Sequence, residues 1–472
     1  MQRTLALETK DAVGKKVTLA GWIHVRRNLG KMVFFDLRDR SGIVQVICVP
    51  NELDAASQSA LEEIRPEFVV RIEGTVKERG GKNANAESPT GSVEVLASSV
   101  VVLSSAKTPP FEITNEDRQA NEELRLKYRY LDLRHERMAR NIRMRHKVIH
   151  FLRNAFTDHG FVEVQTPILS KSTPEGARDY LVPSRKHHGE FFALPQSPQQ
   201  YKQLLMVAGF ERYFQIAPCF RDEDARADRS PGEFYQLDVE MSFVTQDDIL
   251  NLIEEVFAKL VKTLFPEKKM TFDPWPRITH AEAMEKYGAD KFDLRKDKND
   301  PNELAFAWVV DFPLFKEQTK EDFFHGAGEK WGPSHHMFTA PKEEDILLLD
   351  SDPGKVRSYQ HDLVLNGLEV GGGSVRIHDA KIQEKIFDLI GFTEKQKAQF
   401  AHILEAFSYG VPPHGGIAPG IDRLVSLLLG EDAIREVIAF PLTSDARDPM
   451  MSAPSEVTKE QLDELGIEIK KK

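Results

Sequence analysis

The chain of 472 residues contains only two cysteines, Cys48 and Cys219, and no long apolar run. The cysteines stand far apart without metal-ligand spacing, so we expect reduced thiols in cores instead of disulfides or a zinc site. No apolar stretch approaches the roughly 20 residues that a membrane-spanning helix needs, and the first ten residues lack the apolar core of a secretory signal. These absences predict a cytoplasmic protein that makes no membrane contact.

The sequence also lacks the GxxxxGK[ST] phosphate loop and the glycine fingerprint of dinucleotide-binding folds. From about residue 138 onward, strand-like segments outnumber those of a regular βαβ repeat. The pattern predicts a mixed α+β domain built around an antiparallel sheet.

The formal net charge of −11 disfavours nucleic acid as a partner, because phosphate neutralisation by Lys and Arg dominates such binding. The basic residues are nevertheless concentrated. One cluster lies in residues 125–153, and a second holds Arg26, Arg27, Lys31 and Arg38. Such clusters indicate a basic face on an acidic body. The alternative for the first cluster is the solvated side of an amphipathic helix at a subunit contact.

Residues 1–108 alternate short strand-like runs with turn residues. Five such runs, with one helix-like segment at residues 55–64 after the third run, predict a five-stranded OB-fold barrel. Pro109 and Pro110 then lie in a hinge-like stretch. The five predicted strands are residues 17–23, 33–37, 43–49, 68–76 and 93–103.

A loop crowded with charge separates two apolar, strand-like runs at residues 213–216 and 234–239. The flanks carry the β-branched and aromatic residues of a hairpin, and arginines alternate with carboxylates in the loop at residues 220–229. This loop is either a solvated hairpin tip or a site for a polyanion. A second element with matching chemistry favours the polyanion.

The second element is a glycine-rich, strand-like segment at residues 415–420 that runs through Arg423 into the apolar helical pattern 424–429. Glycines let a backbone lie close to a flat or phosphorylated ligand. An arginine at a helix start adds a forked cation where the helix dipole already favours anions. A third motif, around Pro167, follows an amphipathic helix pattern at residues 144–159 and suits an edge strand that meets a neighbouring subunit.

Together these three motifs resemble the signature motifs of class II aminoacyl-tRNA synthetases, and their wording is similar to that of bacterial aspartyl-tRNA synthetases. The resemblance covers nearly the whole chain. It implies an OB-fold anticodon-binding domain at residues 1–108, a hinge at 109–137 and a class II catalytic domain at 138–472, whose mixed, mainly antiparallel sheet is flanked by helices. It also implies a homodimer that uses ATP, Mg²⁺, L-aspartate and tRNA(Asp).

The resemblance implies an aspartate pocket. Glu175, Ser197 and Gln199 are similar to residues that face and orient the substrate ammonium, while Lys202 and Arg376 are similar to the cations that meet its side-chain carboxylate. Such pairing is needed because a buried charge left unpaired is costly. The predicted aspartate set is Glu175, Ser197, Gln199, Gln200, Tyr201, Lys202, Arg221, His336 and Arg376.

The same resemblance implies an ATP site. Arg221 would meet the α-phosphate and the substrate carboxylate, Glu223 the adenine, and Arg423 the γ-phosphate, and these three are the predicted catalytic residues. Asp362 and Glu369 would hold Mg²⁺, for which two carboxylates are the usual protein supply. The predicted ATP-binding set is Arg221, Asp222, Glu223, Ser230, Gln236, Glu369, Gly420, Ile421, Asp422 and Arg423.

In the barrel, the resemblance implies that Phe34 stacks on an anticodon base, with Gln45 and Glu94 as hydrogen-bonding readers and Arg26 nearby. Strand alternation places Phe34 and Phe35 on opposite faces, so one of them fills the barrel. Leu29 stands where some relatives that also charge the asparagine tRNA carry a histidine, which favours an aspartate-specific enzyme.

The chain departs from the family at two places. Gly232 makes the second-motif loop one residue longer than usual, and a whole segment is absent further along the chain. Bacterial enzymes of this type usually carry an inserted domain between the second motif and the segment around Trp308. Here residues 287–295 run through a polar linker, residues 296–303, directly into that segment. We therefore expect the inserted domain to be missing and the catalytic motifs to be intact.

Three alternatives remain at this stage. An asparaginyl or lysyl enzyme shares the architecture, but a neutral amide does not call for two cations, and a lysine substrate would call for acids in place of Lys202 and Arg376. An amidating paralogue would lack the barrel. A regulatory protein with decayed catalysis is disfavoured, because Arg221, Glu369 and Arg423 are present.

Overall fold

The structure is a computed structural model. The described residues are 3–80, 84–114, 120–172, 177–318 and 330–470.

The chain forms two compact units. One holds Met1–Arg125 with Tyr130–His135, and the other holds Leu126–Arg129 with Glu136–Lys472. The predicted hinge falls in the part of the sequence where the two units interleave, and its residues 115–119 lie outside the described residues.

The first unit is built on five strands and one helix. These are β1 (Lys16–Leu29), β2 (Met32–Arg38), β3 (Ile43–Cys48), α1 (Ala55–Glu63), β4 (Val69–Glu78) and β5 (Val93–Ser104). The strands close into a barrel of order β1-β2-β3-β5-β4, with β3 and β5 parallel and the other neighbours antiparallel. This confirms the predicted five-stranded OB-fold.

Alternation along the strands fills the barrel. Phe35 of β2 is fully buried together with Val44 and Val46 of β3. Gly74 marks a tight approach between β4 and β5, because a β-carbon there would lie 2.4 Å from the carbonyl oxygen of Leu96. A register shift in β4 falls at the same place.

The remaining elements follow in chain order. The helices are α2 (Glu122–Lys127), α3 (Arg129–Asp132), α4 (Glu136–Asp158), α5 (Gln199–Val207), α6 (Gln246–Leu264), α7 (His280–Tyr287), α8 (Leu348–Ser351), α9 (Ala380–Leu389), α10 (Glu394–Lys397), α11 (Ala401–Ser408), α12 (Ile421–Leu429) and α13 (Lys459–Leu465). The strands are β6 (Val162–Glu163), β7 (Leu181–Pro183), β8 (Phe191–Ala193), β9 (Arg212–Arg221), β10 (Gly232–Ser242), β11 (Lys269–Met270), β12 (Arg277–Thr279), β13 (Glu303–Leu304), β14 (Phe306–Val310), β15 (Phe315–Glu317), β16 (Trp331–Pro333), β17 (Gln360–Leu365), β18 (Leu368–Val375) and β19 (His414–Pro419).

The second unit has an eight-stranded sheet of order β12-β14-β17-β18-β19-β10-β9-β6. Only the pairs at its two edges, β12 with β14 and β6 with β9, are parallel. The predicted mixed, mainly antiparallel sheet is therefore confirmed. Helices α4, α6 and α12 pack on the core that the sheet forms, around side chains such as Leu152, Ile253 and Leu424.

The predicted hairpin is the pair β9–β10, which runs from Arg212 paired with Met241 to Arg221 paired with Gly232. The glycine-rich segment forms β19, which pairs with β10 on one side and β18 on the other. The sheet thus places three elements side by side: the charged hairpin, β18 with Gly371, Gly372 and Gly373, and the start of α12. None of the helices in the described ranges is long and apolar enough to cross a membrane.

The predicted linker is a short, hydrogen-bonded segment between α7 and β14. Glu303 accepts from the backbone of Lys296 and of Asp297, each at 2.9 Å, and from Thr271 Oγ1 at 2.8 Å. β13 pairs in parallel with β11, which ties the end of the linker to the residues after α6.

Candidate active site

A cleft of about 280 Å³ opens over the middle strands of the second unit. It is lined from α5, both strands of the β9–β10 hairpin, β18, the β19–α12 junction and the loop at residues 335–338. The predicted site residues that line it are Ser197, Gln199, Lys202, Arg221, Glu223, Ser230, Gln236, His336, Glu369, Arg376, Gly420, Asp422 and Arg423.

Five other residues that were predicted for the aspartate, ATP or metal sites do not line this cleft. Tyr201 bonds Ser170 Oγ at 3.0 Å through its hydroxyl, and Ile421 is buried in the core. Gln200 is also buried, Asp222 pairs its backbone with Arg178, and Asp362 lies beneath the lining on β17. The predicted aspartate residue Glu175 falls outside the described residues.

The floor of the cleft holds two buried cations and two buried acids. Lys202 Nζ lies 3.0 Å from Asp238 Oδ1 and 3.3 Å from Glu240 Oε2. Arg376 forks onto Glu240, with Nε 3.0 Å from Oε1 and Nη2 3.1 Å from Oε2. Gly416 makes room for this group, because a β-carbon there would lie 2.3 Å from Glu240 Oε2. Lys202 and Arg376 thus meet in one cleft instead of pointing into solvent.

The two acids differ in the direction of their pKa shifts. Burial opposes the ionisation of Glu240, but Arg376 and Lys202 outweigh it and hold its pKa at about 2. Burial raises the pKa of Asp238, which Lys202 only partly offsets. Glu240 is therefore the fixed anion of the floor, whereas Asp238 lacks a full complement of positive charge. An incoming cationic group would supply it.

Two histidines close the cleft from the loop at residues 335–338. His336 Nε2 lies 2.5 Å from Arg376 Nη1, and the ring centroids of His335 and His336 are 4.4 Å apart. Burial, with the nearby cations Arg376 and Lys202, lowers the pKa of His335 to about 3. Burial and the adjacent His335 lower the pKa of His336 as well. Both rings are neutral at physiological pH.

The hairpin loop supplies the charged upper wall. The guanidinium of Arg221 lies over the ring of Phe234, 5.0 Å from its centroid, and its buried Nε has no hydrogen-bond partner among the described residues. Arg229 pairs with Glu223 at 3.0 Å. Buried donors are normally satisfied, so the unpaired Nε of Arg221 indicates a missing acceptor.

Arg423 approaches the same wall from the start of α12. Its Nη2 lies 3.2 Å from Asp228 Oδ2 of the hairpin loop, and it also contacts the carbonyl oxygen of Glu369. Its neighbour Asp422 faces away from this wall, since its carboxylate pairs with Arg145 and accepts from the backbone of Tyr235 at 3.2 Å. Arg423 can reach a ligand, whereas Asp422 fastens α12 to its surroundings.

Asp362 and Glu369 converge at the edge of the cleft. A β-carbon built on Gly372 would lie 3.1 Å from Asp362 Oδ1 and 3.5 Å from Glu369 Oε1. Burial and the adjacent Glu369 raise the pKa of Asp362. Two such carboxylates beside a phosphate-sized cleft fit Mg²⁺, which binds through one or two carboxylates plus substrate phosphates. Among the described residues no group of three or more metal-type side chains forms.

The sequence prediction missed Asp238, Glu240 and Arg229. Asp238 and Glu240 stand at alternate positions of β10, beside the predicted Gln236, so period-two alternation places all three on one face. This alternation could have identified Asp238 and Glu240 from the sequence. The sequence alone does not show that α5 covers this face. In the structure Lys202 of α5 contacts Asp238 and Glu240, and both acids are buried.

On the barrel, one face gathers the predicted anticodon readers. Gln45 donates to Glu94 at 2.9 Å, and Arg27 pairs in register with Phe34 and lies 3.4 Å from Gln45. The predicted Arg26 lies elsewhere, because it contacts the backbone carbonyl of Ile64. A register shift in β1 just before it, between Ile23 and Val25, changes which arginine shares the face of Phe34.

Comparisons with known proteins agree with this site and fold. The family described as tRNA synthetases class II (D, K and N) matches residues 121–444. The family described as OB-fold nucleic acid binding domain matches residues 17–103.

Several proteins are similar over nearly their whole length. The chain is 42% identical to the aspartate–tRNA(Asp/Asn) ligase of Dehalococcoides mccartyi strain CBDB1, covering 98% of both chains. It is 44% identical to the aspartate–tRNA(Asp/Asn) ligase of Rubrobacter xylanophilus, with 97% of this chain and 95% of that protein covered. It is 40% identical to the aspartate–tRNA ligase of Staphylococcus carnosus, covering 98% of both.

Solved structures share the fold at lower identity. They include an asparaginyl-tRNA synthetase from Pyrococcus horikoshii complexed with asparaginyl-adenylate, with a TM-score of 0.74, 24% identity and coverage of 93% of this chain and 98% of that one. An aspartyl tRNA synthetase from Entamoeba histolytica has a TM-score of 0.71, 23% identity and coverage of 93% and 91%. The chain belongs to the class II tRNA synthetases, and within them to the aspartate–tRNA ligases.

Proposed function

We propose that the cleft activates L-aspartate with ATP and that the chain transfers the aspartyl group to tRNA(Asp), the reaction for which its relatives are named. The observation that carries the substrate choice is the convergence of Lys202 and Arg376 on one buried floor. A second carboxylate on the substrate gives both cations an additional partner. A lysine side chain would meet two like charges, and the neutral amide of asparagine would leave them without a new anion.

The remaining pocket residues orient the same substrate. The ammonium of aspartate faces Asp238, whose pKa burial raises and which lacks full compensation, with Ser197 and Gln199 beside it. Neutral His336 accepts from Arg376 Nη1 through Nε2 and thereby orients the guanidinium towards the side-chain carboxylate. Within the described part of the chain, Gln199 Nε2 is buried without a hydrogen-bond partner, which fits a donor that binds the substrate.

Activation depends on positioning and charge. Arg221 bridges the α-carboxylate of aspartate and the α-phosphate of ATP, so that a carboxylate oxygen attacks the phosphorus, the bond to pyrophosphate breaks and aspartyl-adenylate forms. Arg423 meets the γ-phosphate, and Glu223 the adenine. Asp362 and Glu369 would hold Mg²⁺, which when bound offsets phosphate charge. The 3′-hydroxyl of the terminal tRNA adenosine then attacks the adenylate carbonyl, and AMP leaves.

The barrel binds the anticodon through Phe34, Gln45 and Glu94. In this proposal Arg27 takes the place beside them that the sequence had given to Arg26, because Arg27 shares the face of Phe34. Stacking on an exposed aromatic beside cations is the general mode of OB-folds. We also propose that the protein acts in the cytoplasm, because translation takes place there.

We propose a homodimer formed through the motif around Pro167. A group of large apolar side chains is exposed around it on the second unit, which a soluble monomer would rarely leave open. Its members and their exposed fractions are Val162 45%, Ile168 46%, Leu169 54%, Leu181 58%, Phe191 47% and Phe192 39%. Sedimentation equilibrium of the wild type and of Ile168→Lys tests this, with a monomeric wild type as the contradicting result.

We also propose that the inserted domain of bacterial relatives is replaced by the linker at residues 296–303. The alignments with relatives extend over 595 positions, whereas this chain has 472 residues, so at least 123 positions face gaps in it. The compact linker, closed by Glu303, fits such a replacement.

Isotope exchange tests the proposed substrate. The purified protein should exchange ³²P-pyrophosphate into ATP with L-aspartate, and not with L-asparagine or L-lysine. Equal exchange with asparagine would reject the assigned pocket.

A second assay addresses the tRNA. Relatives named for tRNA(Asp/Asn) and for tRNA(Asp) alone are both similar to this chain. Leu29, exposed at the end of β1, favours tRNA(Asp) alone. Charging of separately transcribed aspartate and asparagine tRNAs should give product with the first only, and comparable charging of both would contradict this.

A further inference from the structure

A lysine occupies the position opposite the carboxylate pair of the ATP site. Lys291 Nζ lies 2.9 Å from Glu369 Oε2, and its side chain is about half exposed, at 46%. Lys291 belongs to the segment between α7 and β13, a few residues after Gly288, which ends α7 in the left-handed conformation. The lysine is not among the residues that line the cleft. It approaches Glu369 from the outer side.

The pair that it faces brings the carboxyl groups of Asp362 and Glu369 together at Gly372. Both acids approach Gly372, where a β-carbon would lie 3.1 Å from Asp362 Oδ1 and 3.5 Å from Glu369 Oε1. Burial opposes the ionisation of Glu369, but Lys291, Arg423 and Arg221 together lower its pKa. Of these cations, Arg423 directs its guanidinium at Asp228 and at the carbonyl oxygen of Glu369. Among the ion pairs of the described residues, the one that reaches the Glu369 carboxylate is that of Lys291.

The backbone that carries Lys291 is fastened to the same two strands that carry the acids. Asp293 packs against Gly367 in the turn between β17 and β18, where a β-carbon on the glycine would lie 3.5 Å from Asp293 Cβ. Arg295 forks onto Asp293, with Nη2 2.7 Å from Oδ2 and Nε 3.1 Å from Oδ1. The lysine head is therefore presented by a fixed segment, while its long, half-exposed side chain can withdraw into solvent.

We propose that Lys291 is a positioning residue: it acts as the resident counter-ion of Glu369 in the nucleotide-free enzyme and competes with the divalent ion for that carboxylate. The inference rests on the proposed function, in which Asp362 and Glu369 hold the metal. A bare divalent ion must displace the lysine and gains only two carboxylates in return. A metal that arrives with ATP also brings phosphate oxygens, so Lys291 favours entry of the ion together with the nucleotide.

Binding of Mn²⁺ to the nucleotide-free protein, followed by electron paramagnetic resonance of the free ion, tests the competition directly. Lys291→Met keeps the length of the side chain and removes its charge. It should tighten Mn²⁺ binding about tenfold, because one unit charge within roughly 4 Å in largely hydrated surroundings is worth on the order of one decade. Lys291→Arg keeps the charge and should bind like the wild type.

Lys397→Met is the matched control, because Lys397 also pairs with carboxylates, Asp388 at 2.6 Å and Glu394 at 2.9 Å, outside the cleft. It should leave Mn²⁺ binding unchanged. Unchanged or weaker binding by Lys291→Met would overturn the inference, since weaker binding would mean that the lysine only holds the acids in place.

Glu369→Gln separates this inference from the metal site on which it depends. It should abolish the tight Mn²⁺ binding, alone and combined with Lys291→Met. If Glu369→Gln loses Mn²⁺ while Lys291→Met is unchanged, the metal pair stands and the role of Lys291 falls. If Glu369→Gln binds Mn²⁺ like the wild type, the proposed metal pair is wrong and this inference falls with it.

Discussion

Arg376 and Glu240 form a fully buried fork in the floor of the cleft, with Nε 3.0 Å from Oε1 and Nη2 3.1 Å from Oε2. The fork uses two of the arginine's nitrogens and leaves Nη1 directed at Ser374 Oγ, 2.6 Å away, and at His336. Glu240 therefore orients Arg376, although it is an acid in a site for an acidic substrate. This relationship predicts how the floor responds to substitution.

Glu240→Gln should destabilise the fold strongly. It removes the one fixed anion of the floor and leaves Lys202 and Arg376 buried with Asp238 alone, and loss of one partner from a buried ion pair costs about 3–5 kcal/mol. Urea unfolding followed by circular dichroism measures this. Glu255→Gln, whose side chain is 68% exposed, should stay within about 0.5 kcal/mol of the wild type. A comparable small loss for both variants would contradict the prediction.

Arg376→Leu should abolish aspartate-dependent pyrophosphate exchange and leave ATP binding measurable by calorimetry. The substitution removes the buried cation that meets the substrate carboxylate, an interaction that carries both affinity and orientation. The expected loss in kcat/KM for aspartate exceeds about a hundredfold.

Arg357→Leu is the control for this experiment, because Arg357 also forks onto an acid, Asp345, with distances of 2.8 Å and 3.1 Å, outside the cleft. It should retain exchange. Retained aspartate exchange by Arg376→Leu would remove Arg376 from the pocket.

The buried histidines predict an acid-sensitive fold. The pKa of His335 is lowered from 6.5 to about 3, chiefly by burial, so the unfolded chain takes up this proton at a higher pH than the folded one. The free energy of unfolding therefore falls as pH falls below about 6.5, and one such group contributes about 1.4 kcal/mol of loss between pH 8 and 5.5.

His335→Asn should remove this share of the pH dependence. Denaturant unfolding of both proteins at pH 8 and 5.5 measures it, and the variant should lose about 1.4 kcal/mol less than the wild type over that interval. Groups other than the adjacent His336 titrate equally in both proteins, so their contributions cancel in the difference. Parallel pH curves would show that His335 titrates normally.

Phe34→Ala should weaken tRNA binding without changing aspartate activation. Base stacking on an aromatic side chain is worth about 1–3 kcal/mol, roughly 5- to 150-fold in affinity. Filter binding of tRNA(Asp) and pyrophosphate exchange separate the two effects. Leu103→Ala is the control, since Leu103 is 49% exposed near the far end of β5 from Glu94. Equal affinities for the two variants would argue against Phe34 as the stacking residue.

The barrel and the hairpin could be predicted from the sequence because apolar residues alternate regularly along their strands. The alternation of apolar and polar residues predicted the ends of the barrel strands to within a few residues. The exception is β1, which extends to Leu29. Other features depend on tertiary structure. A register shift in β1 decides between Arg26 and Arg27, and the packing of α5 decides that Asp238 and Glu240 are buried. Lys291 and Glu369 are in contact although they lie nearly 80 residues apart in the sequence. The linker between them has no repeating pattern from which this contact could be predicted.

Asp238 has a consequence for metabolites that resemble the substrate. Succinate and malate offer two carboxylates to Lys202 and Arg376, but they bring no amine to the under-compensated acid on β10. Each would draw the lysine ammonium away from Asp238 and leave a carboxylate in a dry environment with nothing to balance it. We therefore expect the floor to bind amine-free dicarboxylic acids more weakly than aspartate, because such a ligand brings no positive charge of its own.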